Sequence, residues 1–253
     1  MSRIIFITGA TSGIGKACAE IFAKNGDRLI INGRRAEKLT ELKITLETEW
    51  NTEVYCAPFD VRHKEEVFKA IEALPQEWQE VDILINNAGL ALGRDLFEEA
   101  DILDWETMLQ TNINGILYVS KAVIPSMIKN NRGHIINIGS TAGDDMYEKG
   151  NVYCASKAAV DALSRGMRID LLPHKIKVTN VKPGAAETEF SLVRLKGDVQ
   201  KADEVYEGFI PLSAADIADS IFYCANVSPN VCINELTITC TAQANGIYTY
   251  KQP

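Results

Sequence analysis

Histidine is scarce: the 253 residues hold three, His63, His134 and His174, far apart and at no spacing that metal ligands share. Neither a zinc site nor a Ser-His-Asp hydrolase relay is expected from so few. Six cysteines (Cys18, Cys56, Cys154, Cys224, Cys232, Cys240) form no CxxC pair and mostly lie in apolar runs, so they are expected as small core side chains. Basic residues are outnumbered, 26 Lys and Arg against 34 Asp and Glu, for a net charge of -8. A nucleic-acid partner, which demands a concentrated basic face to replace phosphate counterions, is not expected. Long apolar runs are missing as well: MSRIIFITGATSG turns into glycines after a few apolar residues, too soon for a signal peptide or a membrane span. No membrane contact and a cytoplasmic address are the expectations. Repeats, low-complexity tracts and Pro/Gly-rich linkers are absent too, and nothing divides the chain.

What is present is an ordinary globular composition, 46% hydrophobic and 24% charged. One domain over 1–253 is expected, because a sheet covered on both faces can use that length as one core. Short β-rich runs at 4–8, 28–32, 53–57, 82–85, 134–139, 175–180 and 233–239 alternate with helical segments. Several are nearly continuous Ile, Leu and Val, the pattern of strands buried on both faces of a parallel sheet. The fold class is therefore α/β, a doubly wound Rossmann-like sheet with right-handed crossovers and helices on both faces. The least regular stretch, 183–211, lies past a strand's carboxyl end, where a substrate lobe spanning about 184–213 is expected; a mere surface insertion is the alternative.

The first strand runs into Thr8-Gly9-Ala10-Thr11-Ser12-Gly13-Ile14-Gly15 and then into a helical pattern closed by Gly26. Glycines let the backbone turn tightly against a pyrophosphate, and the helix start offers it free N–H groups. Gly9, Thr11, Ser12, Gly13, Ile14 and Gly15 are thus expected to hold a dinucleotide. At the end of the second strand, an acidic side chain would hold ribose hydroxyls; here stand Asn32-Gly33-Arg34-Arg35. A carboxylate repels a 2′-phosphate and guanidinium binds it, so NADP is the expected cofactor, with Arg34 and Arg35 as its clamp. Alternatively, both arginines only solvate the start of the next helix.

Tyr153 and Lys157 stand four apart in the helical segment 151–171, so they share one face, and no other of the eight tyrosines has lysine at that offset. Ser140 directly follows the buried run 134–139, at a strand's carboxyl end, where open α/β sheets bind ligands. Carbonyl reduction needs a proton donor at oxygen as hydride reaches carbon, and oxidation needs the same group as base. Tyr153 is expected in that role, its phenol pulled toward neutrality by the Lys157 ammonium together with the nicotinamide's positive charge, with Ser140 hydrogen-bonding the substrate oxygen.

The G-x-x-x-G-x-G turn, Ser140, Tyr153 and Lys157, and Asn86-Asn87-Ala88-Gly89 after the fourth strand together resemble the short-chain dehydrogenase/reductase family, over nearly the whole chain. The resemblance implies that Asp60 and Val61 flank the adenine and that Asn87, Ala88 and Gly89 shape its side of the cleft. It implies that Asn112 completes a proton relay to the lysine and that Pro183, Gly184 and Thr188 touch the nicotinamide carboxamide. It also implies a homotetramer built on the long helices. The runs 85–93, 105–108 and 133–143, and 188–191 with 193–194 and 196–198, are similar to the NADP-dependent 3-hydroxy acid (serine-type) dehydrogenases. Asp144-Asp145 and the tail after Asn245 depart from that pattern and leave the substrate open.

The expected partner is thus a small molecule, a 3-hydroxy acid or its oxo or semialdehyde form. A carboxylate near the reacting carbon needs a paired cation, for which Arg194, ahead of Lys196, is the candidate; alternatively Arg194 only meets an acidic surface neighbour. A 3-oxoacyl-carrier-protein reductase or another carbonyl reductase is a second enzyme reading, although the net charge offers no steering toward an acidic carrier. An NADP-sensing binding protein is the non-enzyme alternative, opposed by the intact Ser140, Tyr153 and Lys157.

Overall fold

The computed structural model of the chain describes residues 2–252. In chain order the elements are β1 (Ile4–Ile7), α1 (Gly13–Lys24), β2 (Arg28–Gly33), α2 (Ala36–Trp50), β3 (Val54–Pro58), α3 (Lys64–Glu72) and β4 (Ile83–Asn86). Then come α4 (Ile102–Leu109), α5 (Gly115–Lys129), β5 (Gly133–Ile138), α6 (Asn151–Leu171) and β6 (Ile176–Pro183). The chain continues through β7 (Ala186–Glu187), α7 (Glu189–Arg194), α8 (Val199–Glu204), β8 (Leu212–Ser213), α9 (Ala214–Ala225) and β9 (Glu235–Ile238).

Seven strands form one parallel sheet in the order β3-β2-β1-β4-β5-β6-β9, the doubly wound arrangement expected from the continuous apolar runs. Period-two alternation divides those runs between two cores. Ile5, Ile7, Leu29 and Ile31 pack toward Cys18 and Phe22 of α1 and Ile217 and Ile221 of α9. Ile4, Phe6, Ile30 and Leu84 pack toward Val67 of α3, Val119 and Val123 of α5 and Leu171 of α6.

Strand bounds differ from the expected ones by one to three residues, and those of β6 shift for local reasons. Lys175 adopts a left-handed φ of 55°, so β6 starts only at Ile176, and it runs past Asn180 to Pro183 because Lys182 and Pro183 pair with Thr237 and Ile238 of β9. The irregular stretch is a small lobe: α7 and α8 lie between β7 and β8, which pair in parallel with Ala186 opposite Leu212. Thr188 caps α7 and Ser213 forms a capping box with Asp216 on α9, so side chains fix both ends of the lobe.

Candidate active site

Every residue expected at the site except Gly15 and Asn112 lines one cleft of about 1510 Å³ along the carboxyl ends of the strands. At the cofactor end, Gly9 and Gly13 take left-handed φ values of 66° and 51°, where a side chain would be strained. Gly15 lies beneath the turn; a Cβ there would sit 2.3 Å from the Gly9 carbonyl oxygen. Ser12, which precedes α1, makes no side-chain cap, so no hydroxyl occupies the first N–H groups of that helix. These features fit a dinucleotide pyrophosphate.

Thr8, which sequence reasoning passed over, braces the turn: its Oγ1 accepts from the N–H groups of Asn87 and Ala88, both at 3.0 Å. Asn87 donates back to the carbonyls of Thr8 and Gly9 at 2.9 and 3.1 Å, so its amide joins β4 to the turn. Arg35 reaches over the turn to Thr11 Oγ1 at 2.9 Å and Ser12 Oγ at 3.3 Å, and pairs with Glu189 at 3.5 Å. Arg34 is exposed at the cleft. A further guanidinium, that of Arg62, lines the same end and grips both carboxylate oxygens of Asp60, with Nη2 to Oδ2 at 2.7 Å. Despite partial burial, Arg62 and Arg34 hold that carboxyl below its ordinary range. Only the sequence Asp60-Val61-Arg62 could have signalled Arg62, and two positions in a loop carry no fixed geometry.

At the catalytic end, α6 carries Tyr153 and Lys157 into the cleft, both buried. Lys157 Nζ donates to the Ile138 carbonyl at 2.8 Å and lies 6.0 Å from the Tyr153 ring centroid. Ser140 Oγ accepts from Ala142 N at 3.1 Å and donates to the Pro183 carbonyl at 3.4 Å, which joins the ends of β5 and β6. Thr188 Oγ1 accepts from Phe190 N at 3.2 Å, and a Cβ on Gly13 would lie 3.4 Å from the Thr188 Cβ, so the lobe begins against the glycine turn. Next to Pro183, Gly184 packs so closely on Gln243 that a Cβ would meet Oε1 at 2.1 Å.

Asn112 does not sit on an ordinary helix. It lies in a π-helical stretch, Gln110–Asn114, between α4 and α5, and its side chain is spent on Leu90 N, the Leu90 carbonyl and Ser156 Oγ at 2.9, 2.8 and 3.0 Å. It tethers the Gly89-Leu90 segment to α6 beside Lys157 and does not face the cleft.

The protein groups alone also do not pull the Tyr153 phenol toward neutrality. Burial pushes it up, Tyr147 adds to that, and only the Ser140 hydroxyl and the Arg194 charge oppose. Burial also disfavours the Lys157 ammonium, bringing it down to about 8.

Arg194, at the end of α7, donates from Nη1 to the Tyr147 hydroxyl at 2.8 Å and from Nε to the Gly93 carbonyl at 3.3 Å. Its Cζ lies 5.6 Å from the Tyr153 ring centroid, and no carboxylate among the described residues pairs with it. Lys196, the other cation considered, is engaged by Asp104 at 2.7 Å. The two departures at Asp144-Asp145 and the tail meet in space: Asp145 accepts from Gly246 N at 2.9 Å, and Gly246, Ile247 and Thr249 line the cleft. Among the described residues no cluster could hold a metal, and no helix is long and apolar enough to cross a membrane.

A family model for short chain dehydrogenases matches residues 3–196. The NADP-dependent 3-hydroxy acid dehydrogenase YdfG of Salmonella typhi is 43% identical over 242 residues, 95% of this chain and 96% of that protein. Sulfoacetaldehyde reductase 2 of Chromohalobacter salexigens is 44% identical over 245 residues, 96% of each chain. The closed form of a serine dehydrogenase complexed with NADP+ superposes with a TM-score of 0.91 at 41% identity, over 95% of this chain and 96% of that one.

Proposed function

The chain belongs to the short-chain dehydrogenase family, and on that premise we propose that it moves a hydride between NADP(H) and a small 3-hydroxy acid or its oxo or semialdehyde form. It is an oxidoreductase with NADP as its cofactor. When bound, NADP supplies or accepts the hydride. Tyr153 gives its phenolic proton to the substrate oxygen in reduction and takes it back in oxidation. Ser140 holds that oxygen by a hydrogen bond, and Lys157, moored to Ile138, keeps a cation near the phenol while it is protonated. Thr8, the glycine turn and Asn87 fix the backbone that meets the pyrophosphate, while Arg34 and Arg35 face the 2′-phosphate.

The observation that carries the substrate class is Arg194: a guanidinium beside Tyr153, with no carboxylate partner among the described residues, at the lobe side of the cleft. An anionic head one or two carbons from the reacting carbon gives it one. Carboxylate and sulfonate share that chemistry, and the sulfoacetaldehyde reductase relative makes a sulfonate head a second candidate. The test is NADP(H) turnover across 3-hydroxy acids, 2-sulfo aldehydes and neutral alcohols and aldehydes of equal size, with the wild type and Arg194→Met. A steep rise in KM for the acids in the variant, with KM for the neutral compounds held, supports the reading; equal losses on both, or no wild-type turnover of any acid, reject it.

The same proposal takes 1–253 as one domain with residues 184–213 as its lobe, in a cytoplasmic homotetramer. Exposed Leu109 of α4, Leu117 of α5 and Ile169 of α6 support association through the long helices. Mass measurement in solution tests the tetramer.

A further inference from the structure

Two cations approach the Tyr153 ring. Lys157 comes from the same helix, with Nζ 6.0 Å from the ring centroid, and Arg194 comes from α7, with Cζ at 5.6 Å. Neither is loose. Arg194 is held by the Tyr147 hydroxyl at 2.8 Å and the Gly93 carbonyl at 3.3 Å, its Cζ stands 5.5 Å from the Tyr147 ring centroid, and its own carbonyl accepts from Gly93 N at 2.9 Å. Backbone and side chain are thus fixed together.

The two cations differ in how long they stay charged. Burial disfavours the Lys157 ammonium, bringing it down to about 8, whereas a guanidinium stays charged throughout the working range. No carboxylate among the described residues pairs with Arg194 to cancel that charge. We propose that Arg194 supports ionisation of the Tyr153 phenol in every turnover, including turnover of substrates with no acid group, so that it acts through Tyr153 apart from any part in anchoring an acid.

The groups facing the phenol come from four places. Lys157 and Cys154 lie on its own helix, Tyr147 on the turn before it, Ser140 past the end of β5, and Arg194 on α7, where Phe190 adds an apolar ring with its centroid 5.5 Å away. Burial, Tyr147 and Cys154 favour the neutral phenol; Ser140 and Arg194 favour its anion. For unit charges roughly 6 Å apart, effective dielectric constants of about 80 to 20 correspond to a shift of roughly half to two pH units.

The test uses a neutral secondary alcohol with NADP+, so that acid anchoring plays no part, and reads the pH dependence of kcat. Arg194→Met is expected to move the rising alkaline limb up by roughly half to two pH units with KM for the alcohol within about twofold, and Arg194→Lys to restore most of the limb. Phenolate absorbance in the NADP+ complex, taken as the difference between each protein and its Tyr153→Phe counterpart, reads the same shift without turnover. The Lys variant also guards against a lobe that fails to fold. A limb and a phenolate titration that stay in place in Arg194→Met overturn the proposal, whereas failure of the acid-group reading shows separately, as an unchanged KM for 3-hydroxy acids in that variant.

Discussion

Lys157 Nζ donates to the Ile138 carbonyl oxygen at 2.8 Å, which moors the ammonium of α6 to the end of the strand that leads into Ser140. One hydrogen bond therefore ties the helix that carries Tyr153 to the strand end that leads into Ser140. Tyr153→Phe keeps the ring and its contact with Phe190 but has no proton to transfer, so NADPH affinity is expected to hold while kcat falls by several orders of magnitude. Fluorescence titration and steady-state kinetics check both halves, and near-normal turnover rejects the role. Lys157→Met is expected to lower kcat and move the alkaline limb of oxidation to higher pH. An unmoved limb takes Lys157 out of phenol tuning.

Arg35 and Arg34 are expected to behave differently. Arg35 lies across the glycine turn on Thr11 and Ser12, whereas Arg34 is exposed. Hydrogen bonds to charged groups contribute about 1.5–3 kcal/mol, so Arg35→Ala should weaken NADP about ten- to a hundredfold. Because the turn also loses a brace, NAD should weaken a little with it; Arg34→Ala should weaken NADP alone. Binding isotherms for both cofactors separate the two, and equal losses of NAD and NADP in both variants contradict the phosphate clamp.

The doubly wound sheet was legible because its strands are nearly pure apolar runs, and the site because glycines, Ser140 and the Tyr153–Lys157 offset are local signals. What escaped depends on contacts far apart in the chain. Thr8 reaches Asn87, Tyr147 reaches Arg194, and Lys182 of β6 joins Asp144 to Glu235 of β9; none of these pairings has a sequence period. The Asn112 geometry was hidden for another reason: a π-helical turn adds a residue without changing the helical character of the sequence around it.

The Lys182 cluster makes a checkable statement about Asp144. The ammonium is nearly buried, 8% exposed, and meets Asp144 and Glu235 at 3.0 Å each, while the two carboxylates are half exposed. Asp144 follows the short helical turn Thr141–Gly143, so this pair holds the loop that starts at Ser140 onto β6. With solvent screening on the acidic side, Asp144→Asn should cost about 1 kcal/mol and lower the melting temperature by about 2–4 °C. The gap from wild type should narrow in high salt, since part of the loss is Coulombic. Thermal melts at two salt concentrations test it, and a gap that does not depend on salt would mean the carboxylate serves only as a hydrogen-bond acceptor.

His134 sets an acid limit on stability. It is buried in β5, its Nε2 lies 2.7 Å from Thr179 Oγ1, and its Nδ1 has no partner among the described residues. Burial first, then Lys177 and Arg3, push its pKa down from 6.5 to about 3, so the folded protein keeps the ring neutral. The unfolded chain takes up a proton near the ordinary value of about 6.5 and the folded one does not, so the unfolded state binds more protons in between. The stability this ring lends is therefore complete above about pH 6.5 and is lost as pH falls toward 3, at up to about 1.4 kcal/mol per pH unit. His134→Leu removes that proton uptake at the cost of the bond to Thr179. Between pH 7 and pH 5, urea unfolding should show the wild type losing about 2 kcal/mol more than the variant. Parallel losses in the two proteins would mean that the ring is charged in the folded state, or reaches water there, and would reject the buried neutral histidine.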